Sequence, residues 1–296
     1  AAEGGQWQED AEVVIEWNEL LQSHIPTILL SFRYYAMMHI AMFDAVNSIE
    51  GGYRPYHVRV PTNPTASAEA AAAKAARDVL VELLPGAQST FDAALSGRLA
   101  GIDPKRAAHG VAVGQRVARA VLDWRMGDGT PLPNAPYEPP PVPGVWQPTP
   151  PNFPAAAGVL LGDVEPFALL TTTQYLPDPP PLLNSPAYAE SFNEVKEIGS
   201  ASSSTRSSDQ TQLAYLIQGV NFNPGLFALW SQVAREVTRG QQWALIDTAR
   251  LFALLNVAMH DGLQTSHTSK YVYGLWRPVT AIHRADEDFN EQTTAD

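Results

Sequence analysis

Apolar positions recur along the chain with the three-to-four-residue spacing that is typical of amphipathic helices. Alternation of apolar and polar residues, which would indicate a strand, does not persist beyond four or five positions. We therefore predict an all-α fold of many mid-length helices. The predicted helices cover residues 11–23, 28–48, 66–84, 88–100, 104–126, 186–199, 208–219, 224–239 and 241–265.

Three predicted helices begin with a capping side chain followed by proline. The pairs are Asp103-Pro104, Ser185-Pro186 and Asn223-Pro224. Such a side chain accepts a hydrogen bond from a free backbone N–H at the helix start, and proline is tolerated at the first helical position because it lacks that N–H. These pairs predict where the three helices start.

Two long apolar helices share a sequence pattern. AMMHIAMFDAVNS (36–48) matches ALLNVAMHDGLQT (253–265) at a constant offset, which aligns Asp44 with Asp261. Each copy is followed by an Arg-Pro pair, Arg54-Pro55 and Arg277-Pro278. We interpret the match as a duplication that predicts two helical bundles of related design, with a chance match between alanine-rich helices as the alternative.

Residues 131–186 hold 17 of the 25 prolines. Proline at this density prevents both helices and central strands. We predict an ordered, extended connection anchored by Trp146, Phe153, Phe167 and Tyr175; a polyproline ligand for a partner domain is the alternative. The predicted domains are a first helical bundle (1–130), the Pro-rich connection (131–186) and the start of a second bundle (187–296).

The charge balance restricts the partners. Acidic residues outnumber basic ones by 31 to 19, which gives a formal net charge of −12. Nucleic acids and anionic membranes require a cationic surface, so we expect neither as a partner, although a local cationic pocket could still hold a small anion. The absence of cysteine excludes disulfides and zinc–thiolate sites.

No segment of the sequence predicts a membrane span or a signal peptide. The most apolar stretch, IPTILLSFRYYAMMHIAMF, is interrupted by Arg33 and His39, which favours a buried helix of a water-soluble protein. The first residues, AAEGGQ, have neither a basic region nor an apolar core. The acidic, cysteine-free and lysine-poor composition favours a secreted or periplasmic protein over a cytoplasmic one.

Two cations near the end of the sequence, Lys270 and Arg277, stand seven residues apart in KYVYGLWRP. Pro278 disfavours the α conformation at Arg277, and Tyr-Val-Tyr-Gly-Leu-Trp is a poor helix former, so we expect a loop that doubles back before a helix starting at Pro278. A phosphate-like oxyanion would meet both cations and the amino end of that helix. Alternatively, both cations pair with nearby acids: Asp261, Asp286, Glu287 and Asp288.

LLNVAMHDG, Lys270 and LWRPVTAI together resemble the vanadium-dependent haloperoxidases, in particular their bacterial members. KYVYGLWRP is similar to the Lys-x6-Arg-Pro motif of the superfamily that these enzymes share with the type-2 phosphatidic acid phosphatases. The resemblance implies that Lys270 and Arg277 bind the oxygens of vanadate or, alternatively, of phosphate. It also implies an all-α fold with two four-helix bundles, and hydrogen peroxide, halide and a small organic acceptor as partners.

The other motifs of that family are absent from the sequence. These are a Ser-Gly-His sequence and an arginine followed by the histidine that binds vanadium. The resemblance places both beyond Asp296, so we expect a truncated chain that has no direct metal ligand and is inactive alone. A longer parent protein or a second, C-terminal fragment would complete the site, and a homo-oligomer remains open.

Three further residues near the motif are candidates for the site. His267 lies where chloroperoxidases of the family tend to carry a tryptophan near the halide pocket, so the resemblance implies a catalytic role in binding a peroxide oxygen or tuning halide choice. A polar loop residue is the alternative. We expect His260 in a core or an interface. Asp261 either orients groups of the missing motifs or caps its own helix.

The resemblance predicts an enzyme that oxidises halide with hydrogen peroxide at a bound vanadate. Lys270 would stabilise the charge that develops on the peroxide. An acid phosphatase of the same superfamily is the first alternative, because vanadate and phosphate need nearly the same donors. A non-catalytic helical binding or assembly protein is the second.

Overall fold

Ten α-helices form the secondary structure of the computed structural model, which describes residues 4–25, 28–130, 132, 135–222 and 226–296. Within these ranges there is no strand, and the all-α prediction is confirmed; the number of bundles stays a prediction. The helices are α1 (Gly4–Gln22), α2 (Ile28–Glu50), α3 (Ala68–Leu83), α4 (Gln88–Leu99), α5 (Pro104–Trp124), α6 (Pro186–Gly199), α7 (Ser208–Phe222), α8 (Leu226–Gln241), α9 (Leu245–Tyr273) and α10 (Pro278–His283).

Two of the three predicted cap–proline pairs start helices in the structure. Asp103 caps α5, where its carboxylate accepts hydrogen bonds from the backbone N–H groups of Lys105 and Arg106. Ser185 caps α6 and accepts from the N–H of Tyr188 at 3.2 Å. The third pair, Asn223-Pro224, lies outside the described residues.

The chain divides into two compact units. Unit 1 comprises residues 1–128 and 220–260, and unit 2 comprises 129–219 and 261–296. The residues of α9 are therefore shared between the two. No helix of the described residues is long and apolar enough to span a membrane.

Small residues build the centre of unit 1. α3 makes its most extensive helix contacts with α5 and α2, and its alanines at 70–73, 75 and 76 are fully buried. On α5, a Cβ at Gly110 or Gly114 would collide with backbone carbonyl oxygens of Ser67 and Ala71. The alanines and glycines therefore let the two helices approach more closely than larger side chains would.

The core of unit 2 lies between α6 and α10. Tyr188 and Phe192 of α6 pack with Trp276, Ala281 and Ala285. The indole Nε1 of the buried Trp276 also donates a hydrogen bond to the Tyr188 hydroxyl at 3.2 Å. This contact fixes the residue that precedes Arg277.

The Pro-rich connection has two buried aromatic anchors, fewer than the sequence predicts. Trp146 and Phe167 are buried, but Phe153 and Tyr175 are 61% and 67% exposed, so the prediction is wrong for these two. Backbone hydrogen bonds from the connection do much of the anchoring instead. Their partners lie around Lys270 and Arg277.

Candidate anion site

Lys270 lies in the last turn of α9, which corrects the expectation of a loop that doubles back at this residue. The helix continues through three residues of low helix propensity because the side chains of two of them, Tyr271 and Tyr273, bind the Pro-rich connection. The hydroxyl of Tyr271 donates to the carbonyl oxygen of Ala157 at 2.6 Å, and that of Tyr273 donates to Pro177 at 2.5 Å. Tertiary contacts of this kind commonly override propensity.

α9 ends at Tyr273 and is followed by Gly274, which has a φ of +53° and donates its N–H to the carbonyl oxygen of Lys270. A short loop then leads to Arg277, whose extended backbone (φ −78°, ψ 154°) allows Pro278 to open α10 as predicted. α10 has only six residues, so its dipole adds little to an anion site. The two side chains of Lys270 and Arg277 remain the main donors.

The Pro-rich connection pairs with this loop. The N–H of Trp146 donates to the carbonyl oxygen of Gly274 at 2.7 Å, and the N–H of Trp276 donates to Gly144 at 3.0 Å. Val145 and Leu275 thereby form a single antiparallel bridge. The connection therefore holds the backbone on the amino side of Arg277.

Asp261 and Gln264 attach α9 to a second part of the connection. The Asp261 carboxylate accepts hydrogen bonds from the backbone N–H groups of residues 167, 168 and 169 at 2.9, 2.7 and 3.0 Å. The Gln264 amide donates to the carbonyl oxygens of Leu161 and Val164. Asp261 thus caps the connection, not its own helix; a role in orienting missing groups stays a prediction.

The aligned aspartate of the first copy makes the same kind of contact in unit 1. Asp44 accepts hydrogen bonds from the backbone N–H groups of Tyr56, His57 and Val58 at 2.6–2.8 Å. Burial raises the pKa of Asp44, and the three N–H groups oppose that shift. The two copies therefore share a physical function, the fixing of a loop by a buried carboxylate.

Lys270, Arg277 and His267 form one electrostatic group. Lys270 and Arg277 are exposed. Desolvation and, after it, the charge of Arg277 lower the pKa of Lys270. Burial and then the charge of Lys270 lower the pKa of His267. The cations are thus close enough to repel each other, which a bound anion would relieve.

Neither Lys270 nor Arg277 has a carboxylate within salt-bridge distance among the residues that the structure describes. Three of the four acids that could have paired with them are engaged elsewhere. Asp261 binds the connection, as described above. Glu287 pairs with Arg284, and Asp288 accepts hydrogen bonds from Asn290 and Thr293.

His267 is buried, and one hydrogen bond fixes its tautomer. Its Nδ1 lies 3.0 Å from the carbonyl oxygen of Leu263, which can only accept, so Nδ1 carries the proton. Because the pKa is lowered, Nε2 is an unprotonated acceptor at neutral pH. His260, expected in a core or an interface, is also buried.

Sequence reasoning did not identify the residues that hold the site in place. The repeat of a polar pair at the same positions of the two copies, Asp44/Asn47 and Asp261/Gln264, was the signal that could have identified them. All four side chains bind loop backbone in the structure. The pairing of residues 144–146 with 274–276 had no local signal. Its partners are distant in sequence, and the bonds involve backbone atoms.

No family model matches the sequence, and no curated protein matches it. Solved structures do. A bacterial vanadium-dependent iodoperoxidase superposes with a TM-score of 0.79 at 22% identity, over 95% of this chain and 73% of that one. The chain has the fold of the vanadium-dependent haloperoxidases.

Two structures of a bacterial vanadium-dependent chloroperoxidase agree with this assignment of the haloperoxidase fold. The holo form gives a TM-score of 0.65 at 14% identity and the apo form 0.60 at 17%, each over 87% of this chain. The chain spans 64% and 65% of the length of these two structures.

Proposed function

We propose that Lys270 and Arg277 bind the oxygens of vanadate in a haloperoxidase that oxidises halide with hydrogen peroxide. The observation that carries the proposal is that these two cations have no carboxylate within salt-bridge distance among the described residues of an acidic chain, and that the charge of Arg277 contributes to the lowered pKa of Lys270. The haloperoxidase fold of the chain supports it. An anion is the simplest compensation for such a pair.

The chemistry of the two donors suits a tetrahedral oxyanion. The Arg277 guanidinium can bind two oxygens in one plane, and the Lys270 ammonium supplies a point charge with three donors. The backbone hydrogen bonds at Gly274 and Trp276 reduce the cost of ordering the loop on binding. The donor set does not discriminate vanadate from phosphate.

The side chains then have separate functions. Bound vanadate supplies a Lewis-acid centre that activates hydrogen peroxide towards halide. Lys270 would stabilise negative charge that develops on the peroxide oxygens, because its ammonium is a positively charged hydrogen-bond donor. His267 lies one helical turn before Lys270 and can hold a proton from hydrogen peroxide at Nε2.

The test is halide oxidation by the chain and by any longer parent protein that contains it. Each is incubated with vanadate and hydrogen peroxide, and iodide, bromide and chloride are compared by halogenation of a small phenol. We expect the parent protein to have a halide-oxidising activity that requires vanadate. This activity should fall at least about tenfold in Lys270→Ala, because the substitution removes one charged hydrogen bond. Hydrolysis of p-nitrophenyl phosphate without vanadate, together with no halide oxidation, would instead establish the phosphatase.

A further inference from the structure

Unit 1 contains a second pair of cations, in a cavity that is separate from the candidate vanadate site. Arg54 and Arg250 line a cavity of about 210 Å³. Most of its other walls are apolar and include Phe43, Pro55 and Leu254. The cavity therefore combines two positive charges with a hydrophobic surface.

Arg54 belongs to the Arg-Pro pair of the first sequence copy, and its backbone is fixed on both sides. Before it, the Asn47 side chain accepts from the N–H of Tyr53 at 3.2 Å and donates to the carbonyl oxygen of Tyr53 at 3.0 Å. After it, Asp44 accepts from the N–H of Tyr56 at 2.6 Å. This wall of the cavity is thus formed before any ligand arrives, which lowers the entropic cost of binding.

Arg250 is held by an aromatic ring. Its guanidinium carbon lies 4.7 Å from the centre of the Tyr53 ring, and the Tyr53 hydroxyl donates to Asp247 at 2.5 Å. Asp247 is thereby hydrogen-bonded to the tyrosine. Among the described residues, neither Arg54 nor Arg250 has a carboxylate within salt-bridge distance.

The size and the wall chemistry indicate the class of ligand. A dry cavity of about 150 Å³ is large enough for benzene, so about 210 Å³ accommodates a six-membered ring with one carboxylate. A guanidinium binds a carboxylate through two parallel hydrogen bonds, while the apolar walls cover the ring. A bare inorganic anion would leave these walls unused.

We propose that Arg54 and Arg250 bind a small aromatic carboxylate of about the size of benzoate in unit 1. The site uses the first Arg-Pro pair, as the candidate vanadate site uses the second. It does not depend on vanadate, because all of its residues belong to unit 1. The proposal therefore stands or fails independently of the proposed function.

The experiment is titration calorimetry of the complete chain with benzoate, benzyl alcohol and inorganic phosphate. We expect benzoate to bind at least tenfold more tightly than either of the other two. Arg54→Gln and Arg250→Gln should each weaken benzoate binding at least tenfold, because each removes a charged hydrogen bond. Both arginines are exposed, so circular dichroism should show that the variants fold normally.

Two controls separate this site from other cations of the chain. Arg119→Gln removes an exposed arginine of α5 that lines no wall of this cavity, and it should leave benzoate binding unchanged. The double variant Lys270→Ala/Arg277→Ala should also bind benzoate normally. The proposal is overturned if Arg54→Gln and Arg250→Gln bind like the wild type, if the double variant abolishes binding, or if phosphate binds as tightly as benzoate.

Discussion

Replacing Asp261 by asparagine should destabilise unit 2 and release the part of the Pro-rich connection that is hydrogen-bonded to α9. The carboxylate is buried and accepts three backbone N–H groups, of which two share Oδ2 and one is bound by Oδ1. Asparagine keeps one acceptor oxygen, so it can serve at most two of the three N–H groups and without a negative charge. At least one of the three N–H groups then loses its hydrogen bond to residue 261.

The magnitude follows from these contacts. A hydrogen bond to a charged group contributes about 1.5–3 kcal/mol, and an unpaired buried donor costs about 1–3 kcal/mol. We expect Asp261→Asn to lower the free energy of unfolding by about 2–4 kcal/mol. Asp44→Asn is the matched variant in unit 1, since it also affects three backbone N–H groups, and its cost should be similar.

The assay that separates the two variants is amide hydrogen exchange, combined with urea denaturation. Asp261→Asn should reduce protection at residues 167–169 and leave 56–58 unchanged, and Asp44→Asn should do the reverse. Only Asp261→Asn should weaken oxyanion binding at Lys270 and Arg277. Unchanged protection at 167–169 in Asp261→Asn would refute the assigned function of the carboxylate as an anchor of the connection.

Two further substitutions test other parts of the structure. Gly274→Ala should lower stability by about 1–3 kcal/mol, because alanine is strained at φ +53° and its Cβ would lie 2.6 Å from the Tyr137 hydroxyl. Gly262 lies inside α9, and a Cβ there would meet open space, so Gly262→Ala should instead stabilise the protein by about 0.5–1 kcal/mol. Equal effects of the two substitutions in urea denaturation would contradict this. Burial lowers the pKa of His39 to about 3. Between about pH 6.5 and pH 3 the histidine is therefore protonated in the unfolded state but not in the folded state. Relative to His39→Leu, the stability of the wild type should fall by about 1.4 kcal/mol for each pH unit from pH 6.5 towards 3. A difference in stability between the two proteins that does not change over pH 4–6 would refute this. Desolvation, Asp10 and Asp247 raise the pKa of Glu50 to about 7, which gives the opposite slope, but both proteins contain Glu50 and its effect cancels in the comparison.

Periodicity predicted the helices well because an amphipathic pattern is a local property of the sequence. It failed at the end of α9, where the predicted end at residue 265 is eight residues short of Tyr273. Two hydroxyl contacts to the connection, from Tyr271 and Tyr273, support that last part of the helix. Their partners lie about a hundred residues away, so no local pattern contains them.

The candidate site could also be predicted only in part. Lys270 and Arg277 could be found from the motif, but the contacts that hold the backbone beside them could not. The bridge between Val145 and Leu275 involves backbone groups, which have no sequence signature. Phe153 and Tyr175 were wrongly predicted as anchors because an aromatic residue in an extended segment can face either the core or the solvent. Both are largely exposed in the structure.

The most direct test of the account is to measure orthovanadate binding to the purified chain by ⁵¹V NMR. We expect the wild type to bind, and Lys270→Ala and Arg277→Ala to bind at least about tenfold more weakly, since each loses a charged hydrogen bond. Lys105→Ala, an exposed lysine of α5, should bind like the wild type. Equal binding by the wild type and by the double variant Lys270→Ala/Arg277→Ala would contradict the central claim that these two cations hold the anion.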